Sequence, residues 1–199
     1  MANSEVRIRI ARPDDAEAIQ KIYAPYVTDT AVTFEYDVPT VEEFRERITE
    51  IEKNYPWLVA TIDHQVVGYA YANQFKAREA YNWAVEMSVY VAQDMRRQGI
   101  GTKLYYALEE FLREMGYRNC NACIAVSPRR YRNDEDIFKN ESTRFHRHVG
   151  YNFVGRFHKV GYKFGKWYDM AWMEKKIGEH VDDPGPVEPF ATWRKEKDI

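Results

Sequence analysis

Cysteine is scarce in this chain: its 199 residues include two, Cys120 and Cys123, too few for a disulfide framework and without the further ligands of a zinc site. The pair is a lone CxxC that runs into the strand-like stretch CNACIAV, where residues three apart point to opposite faces. A redox CxxC belongs at a helix N-terminus, so both thiols read as packing residues. No stretch approaches the ~18 apolar residues that cross a bilayer, and no apolar leader follows the opening MANSEVRIRIARPDDAEA. The expectation is a cytoplasmic protein with no membrane partner. Basic excess is also missing: 29 Lys and Arg face 31 Asp and Glu, a formal charge of -2, which argues against a dedicated nucleic-acid binder. There is no internal repeat. What is present, 45% hydrophobic and 30% charged residues, suits one soluble domain with a real core.

Residues 6–11, VRIRIA, alternate apolar and charged side chains, the pattern of a half-buried strand. A helix is expected from about Asp14, with Asp14 and Glu17 as a capping box and Ala16, Ile19, Tyr23 and Tyr26 on one face. Thr40 and Glu43 repeat that box before Val41, Phe44, Ile48 and Ile51, a second amphipathic helix. Residues 57–62 and 66–72, separated by Asp63, His64 and Gln65, read as a hairpin. In the strand of residues 84–91, Val85, Met87, Val89 and Val91 face one way, and Glu86, Ser88 and Tyr90 the other. Leu104, Leu108, Phe111, Leu112 and Met115 trace a helix that stops at Gly116. The strand ACIAV (122–126) opens into a polar loop from Ser127 to about Lys139. A short helix (142–150) and two strands (151–160 and 167–174) around the turn GYKFGK complete a domain of residues 5–176. Residues 177–199 carry three prolines and no apolar period, and read as a tail outside the core, docked if at all by Phe190 and Trp193. The order of elements predicts a mixed α/β domain around one sheet.

The strongest chemical signal lies between a strand and a helix: Arg96, Arg97, Gln98, Gly99, Ile100, Gly101 and Thr102. Glycines there admit a ligand close to the backbone, and free N–H groups opening a helix favour an anion such as a pyrophosphate. The spacing is neither a Walker A loop nor a dinucleotide fingerprint. A tight turn with solvated arginines is the plain alternative. Glu86, mid-strand among apolar neighbours, is either a general base with a burial-raised pKa or an ordinary strand carboxylate. No metal site is expected; His146 and His148 fall on different sides of their helix.

The loop, with Arg96, Gly99 and Gly101 in R/QxxGxG/A spacing, resembles the acyl-CoA pyrophosphate loop of the GCN5-related N-acetyltransferases (GNAT). The stretches YPWLVATIDHQVVGYAYA, FKAREAYNWAVEMSVYV, RRQGIGTKLYYAL, STRFHRHVGY and GYKFGKWYDMAWM are similar to successive blocks of its phosphinothricin acetyltransferase branch, from Val6 to Met173. The resemblance implies a central, twisted, mostly antiparallel sheet with flanking helices, and acetyl-CoA as co-substrate. It implies Glu86 as the base that deprotonates an amine, and a backbone N–H of the segment Val89, Tyr90 and Val91, Val89 foremost, as donor to the thioester carbonyl. It makes His146 a proton donor or hydrogen-bond partner for the leaving sulfur, the alternative being a surface histidine. Asn140 and Ser142 match a polar pair beside the pantetheine arm, or else one of them is a helix cap. Phe34, Lys76, Arg78 and Tyr81 match the acceptor pocket, where a cation orients a carboxylate. Arg129, Arg130 and Arg132 of the long polar loop either contact the adenosine 3′-phosphate or are simply solvated. The implied reaction is direct acetyl transfer in a ternary complex, within a homodimer, to a small amino acid or analogue of the phosphinothricin, methionine sulfoximine or methionine sulfone type. A peptide N-terminus, polyamine or other amine is the second acceptor class, and an acyl-CoA sensor without turnover is a third reading.

Overall fold

Alternation in RIRI makes β1 (Arg7–Ile10), one edge of a seven-stranded sheet ordered β1-β2-β3-β4-β5-β7-β6. The chain's computed structural model describes residues 5–198; residues 1–4 of the stretch read as leaderless, and residue 199 of the expected tail, lie outside it. After β1, a 3-10 turn at Pro13–Asp15 leads into α1 (Ala16–Thr28). The expected Asp14 and Glu17 box does not form. Pro13, with its fixed φ, starts the turn earlier. Asp15 instead accepts from the Arg12 N–H at 2.8 Å and binds the Arg9 guanidinium twice at 2.7 Å. α2 (Val41–Ile51) has the expected box, with Thr40 N–H donating to Glu43 at 2.6 Å and Glu43 N–H to Thr40 Oγ1 at 3.2 Å. The apolar faces of α1 and α2 cover one side of the sheet, where Ile19, Tyr23, Phe44 and Ile48 meet Trp57, Val59 and Tyr69.

β2 (Trp57–Ile62) and β3 (Gln65–Gln74) join through Asp63 and His64, at φ 48° and 67°, the left-handed pair that matches strand twist in a two-residue hairpin. β4 (Ala84–Val91) follows, then α3 (Ile100–Glu114) and β5 (Asn119–Val126). The opposite face of the sheet is covered by α3, whose Leu104, Leu108 and Leu112 are fully buried with Val85, Cys120 and Ala122. Within the expected polar loop, α4 (Asp134–Ile137) forms, and Tyr131 and Ile137 enter the core. α5 (Glu141–His148) precedes the hairpin of β6 (Asn152–Lys163) and β7 (Lys166–Lys176), whose turn contracts to Phe164 and Gly165. Asp169 anchors the hairpin: it is 1% exposed, accepts from Arg156 Nε at 2.6 Å and from the Lys159 N–H at 2.7 Å. Burial pushes its carboxyl up, but these donors more than offset that and hold it below the usual value.

Two features depart from expectation or constrain the site. The chain after Ile177 folds back, and α6 (Phe190–Glu196) places Phe190 and Trp193 inside the core the sequence reading left them out of. The Trp193 ring lies 4.9 Å from that of Phe111, and Glu188 N–H binds the Met115 carbonyl at 2.9 Å. The prolines of this segment stop regular pairing but not burial. Second, every neighbouring pair of strands is antiparallel except β4 and β5. Those two pair in parallel over Ala84↔Asn119, Val85↔Cys120 and Glu86↔Asn121 and then part, although β4 runs on to Val91 and β5 to Val126. No described helix is long and apolar enough to cross a membrane.

Candidate functional site

The parting of β4 and β5 leaves main-chain groups of β4 pointing into an opening. Ala92 N–H donates to the Val67 carbonyl at 2.9 Å, so by antiparallel alternation Tyr90, Ser88 and Glu86 bond to β3. Met87, Val89 and Val91 therefore turn their N–H and C=O groups to the β5 side. Side chains take up some of these: the Tyr26 hydroxyl donates to the Val91 carbonyl at 2.5 Å, and Asn121 Nδ2 to the Val85 carbonyl at 3.1 Å. The Val89 N–H faces the gap beyond the last paired residues. Tyr90 packs the other way, edge-on to Tyr23 and Tyr26.

At the end of β4 the chain turns through Arg96–Thr102 into α3. Gly99, at φ 77°, is the N-cap in a left-handed conformation that strains other residues. No side chain caps α3, so the N–H groups of Ile100, Gly101 and Thr102 open outward for an anion. A Cβ at Gly101 would lie 3.2 Å from Phe145 Cε2; its absence lets α3 close on α5. Ile100 is buried, Thr102 half-buried, and Gln98 reaches Met95 Sδ at 3.8 Å. Arg96 and Arg97 both bond to Glu141, at 2.7 Å and 2.5 Å. Asn140 is the cap of α5, accepting from the Ser142 N–H at 2.8 Å and the Thr143 N–H at 3.3 Å; of the two cap candidates it is the one used. Arg129, Arg130 and Arg132 are exposed.

Glu86 sits where the two strands part, opposite Asn73 on β3 and Asn121 on β5. It is half-buried, and burial raises its carboxyl above the ordinary value, with Lys76 pulling it partly back. A carboxylate in that condition takes a proton more readily than a solvated one. The Lys76 ammonium lies 5.0 Å from the Phe75 ring and 5.3 Å from the Trp172 ring, and Phe75 packs on both Tyr81 and Trp172. Lys76 and Tyr81 are thus gathered by one aromatic cluster. Arg78 is exposed and opens the short turn at Glu79–Tyr81. Phe34 lies on the segment joining α1 and α2, against β6: a Cβ at Gly161 would come within 2.1 Å of its ring, and Lys163 Nζ donates to the Thr33 carbonyl at 2.9 Å.

His146 departs from the surface alternative. It is buried at 5% exposure rather than on the surface. Its Nδ1 lies 2.7 Å from the Ser142 carbonyl, which only accepts, so the ring proton resides there; Nε2 accepts from the Tyr105 hydroxyl at 2.9 Å. Burial lowers its pKa to about 4. At neutral pH the ring is therefore uncharged, its one N–H turned to the Ser142 carbonyl. Its contact is Tyr105, fully buried and 3.5 Å from the Met87 carbonyl of β4. Sequence reasoning passed over Tyr105, though its position four residues after Gly101 and beside Leu104 puts it on the buried stripe of α3. It also passed over Trp172, whose alternation in β7 alone does not tell pocket from core. Among the described residues no group of three or more His, Cys, Asp and Glu is placed to hold a metal.

The model of the acetyltransferase (GNAT) domain family matches residues 8–172. Phosphinothricin N-acetyltransferase of Streptomyces viridochromogenes is 34% identical over 184 residues, covering 92% of this chain and 94% of that protein. The L-methionine sulfoximine/L-methionine sulfone acetyltransferase of Pseudomonas aeruginosa is 32% identical over 172 residues, covering 85% and 94%. The crystal structure of a GNAT superfamily phosphinothricin acetyltransferase from Sinorhizobium meliloti in complex with AcCoA superposes with a TM-score of 0.79 at 31% identity, covering 92% of this chain and 94% of that one.

The buried His146 makes a pH prediction. With a folded pKa near 4 against 6.5 unfolded, the unfolded chain binds the extra proton between those values, so stability falls as pH drops through that window. Chemical denaturation of the native protein should lose about 3 kcal/mol from this source between pH 6.5 and 4. His146→Gln should lack that component; parallel curves for the two proteins over this range would contradict the assignment.

Proposed function

The chain belongs to the GNAT acetyltransferase family and is an acetyl-CoA-dependent N-acetyltransferase, and from that premise we propose that its acceptor is the α-amine of a small amino acid or analogue of the phosphinothricin or methionine sulfoximine type. The observation that carries this is the pairing of half-buried Glu86, its carboxyl raised by burial, with Lys76 held near it on Phe75 and Trp172. An α-amino acid presents an amine and a carboxylate a few bonds apart, and this site offers a base for one and a cation for the other.

In this reading the α3 amides from Gly99 to Thr102 receive the pyrophosphate, and the pantetheine arm follows the gap between β4 and β5. The Val89 N–H donates to the thioester carbonyl and strengthens that bond as negative charge gathers there. Glu86 takes the proton of the attacking amine. A thiol of pKa about 8.5 leaves with little assistance, so we assign His146 to holding Tyr105 against β4 rather than to proton delivery. Transfer is direct, with no acetyl-enzyme. Phe34 closes the pocket from the α1 and α2 side, with Arg78 and Tyr81 at its rim.

We further propose a cytoplasmic homodimer. The support is β6, an edge strand of the sheet, whose hairpin exposes Val154, Phe157, Val160, Tyr162, Phe164 and Trp167, each 47% or more; exposed apolar edges are seldom left uncovered. Sedimentation at micromolar concentration should report twice 23.6 kDa, falling to the monomer in Phe157→Lys/Val160→Lys. A monomeric native protein would contradict this part.

The acceptor assignment is tested by following free thiol with acetyl-CoA and a panel of amines. Amino acids should exceed their decarboxylated counterparts by about tenfold or more in kcat/KM. Glu86→Gln should lower turnover about 10²- to 10⁴-fold while still binding CoA. For the native enzyme kcat/KM should rise with pH through a group above the ordinary carboxylate value, since the base works ionised and burial raises its pKa. Equal use of polyamines would favour the second acceptor class, and unchanged turnover in Glu86→Gln would remove Glu86 as the base.

A further inference from the structure

Both guanidiniums beside the pyrophosphate loop are already committed. Arg96 Nη2 lies 2.7 Å from Glu141 Oε2 and Arg97 Nη2 2.5 Å from Glu141 Oε1, so one carboxylate is shared, an oxygen to each arginine. Glu141 is the first residue of α5, just after its Asn140 cap, where a negative charge also meets the positive end of that helix. Arg97 is at φ 64°, a left-handed conformation uncommon for a side chain of its type, and its bond to Glu141 helps hold the loop in that shape. The Arg97 hydrogen bond, with Arg96 adding to it, keeps the Glu141 carboxyl below its ordinary value, so it is ionised at neutral pH. The amides of Gly99 to Thr102 that open α3 lie in the same bend, and α3 meets α5 where Gly101 touches Phe145.

A diphosphate seated on those amides brings its charge to a place where a carboxylate already holds both arginines. Two like charges near one pair of cations compete for them. We propose that Glu141 is a built-in competitor for the cofactor's diphosphate: it holds Arg96 and Arg97 in place when the phosphates are elsewhere, gives them up when the phosphates bind, and so weakens CoA binding and eases release of the CoA product. The inference rests on the acetyl-CoA reading of the loop and adds to it a residue that sets cofactor affinity. An arginine clamp that merely steadies the loop would have the opposite sign, because loosening it would lower affinity.

The pairs are exposed, with Glu141 at 54% and the arginines at 44% and 84%, so water screens each of them and the competition is weak. The effect expected on removing the competitor is therefore about three- to tenfold. Calorimetric titration with CoA, which carries the diphosphate, and with pantetheine, which does not, reads it directly. Glu141→Gln should bind CoA about three- to tenfold more tightly than the native protein, with pantetheine affinity the same in both. In an Arg96→Gln/Arg97→Gln background the gain from Glu141→Gln should vanish, since the competition needs the arginines. CoA affinity in Glu141→Gln equal to or below the native value would overturn the proposal, as would a gain that persists without the arginines. Failure of the native protein to bind CoA at all would instead overturn the acetyl-CoA reading beneath it.

Discussion

The site depends on a parallel pair of strands that stop pairing. In a sheet otherwise antiparallel, β4 and β5 share three residue pairs and then diverge while both continue. Main-chain donors of a strand are obligatory hydrogen-bonding groups, and a ladder that ends early leaves them for another partner. The same divergence sets Glu86 at its apex, where neighbouring strands shield the carboxyl enough to raise its pKa without sealing it off. A main-chain N–H turned to the gap and a half-buried carboxyl thus arise from one feature of topology, a few residues apart on one strand.

What surrounds that opening keeps it from closing. On one face α1 and α2 pack over Tyr69 and Tyr90, and the Tyr26 hydroxyl ties α1 to the Val91 carbonyl. On the other, α3 and α5 meet at Gly101 and Phe145, and the His146 and Tyr105 pair fills the space beneath β4. The β6 and β7 hairpin, fastened at its bulge by Asp169 and Arg156, extends to the Phe34 segment through Lys163 and Tyr36, whose hydroxyl binds the Tyr162 carbonyl.

Much of this was legible in the residues. Strict alternation located β4 and both its faces, the Thr40 box located α2, and the glycine spacing of residues 96–101 marked the bend into α3. What was not legible depends on contacts between distant segments. The parting of β4 from β5 is a register event that no periodicity reports. The burial of His146 follows from Tyr105 and Tyr151 closing over it, and a histidine in a short stretch that also carries Arg144, Arg147 and His148 looks solvated. The burial of Phe190 and Trp193 is hard to read because prolines hide regular pattern, although the two aromatics together signal docking. Asn140 became the cap because its backbone is extended while Ser142 already lies within the helix, a distinction of one or two residues that composition leaves open.

The most direct measurement is a crystal structure with a non-hydrolysable acetyl-CoA analogue in which a ketone replaces the thioester. The account predicts the diphosphate on the amides that begin α3, the arm between β4 and β5, and the carbonyl oxygen within about 3 Å of the Val89 nitrogen, with Glu86 facing the acetyl end. An analogue bound elsewhere, or strands paired through to Val91 with the Val89 amide occupied by β5, would contradict it.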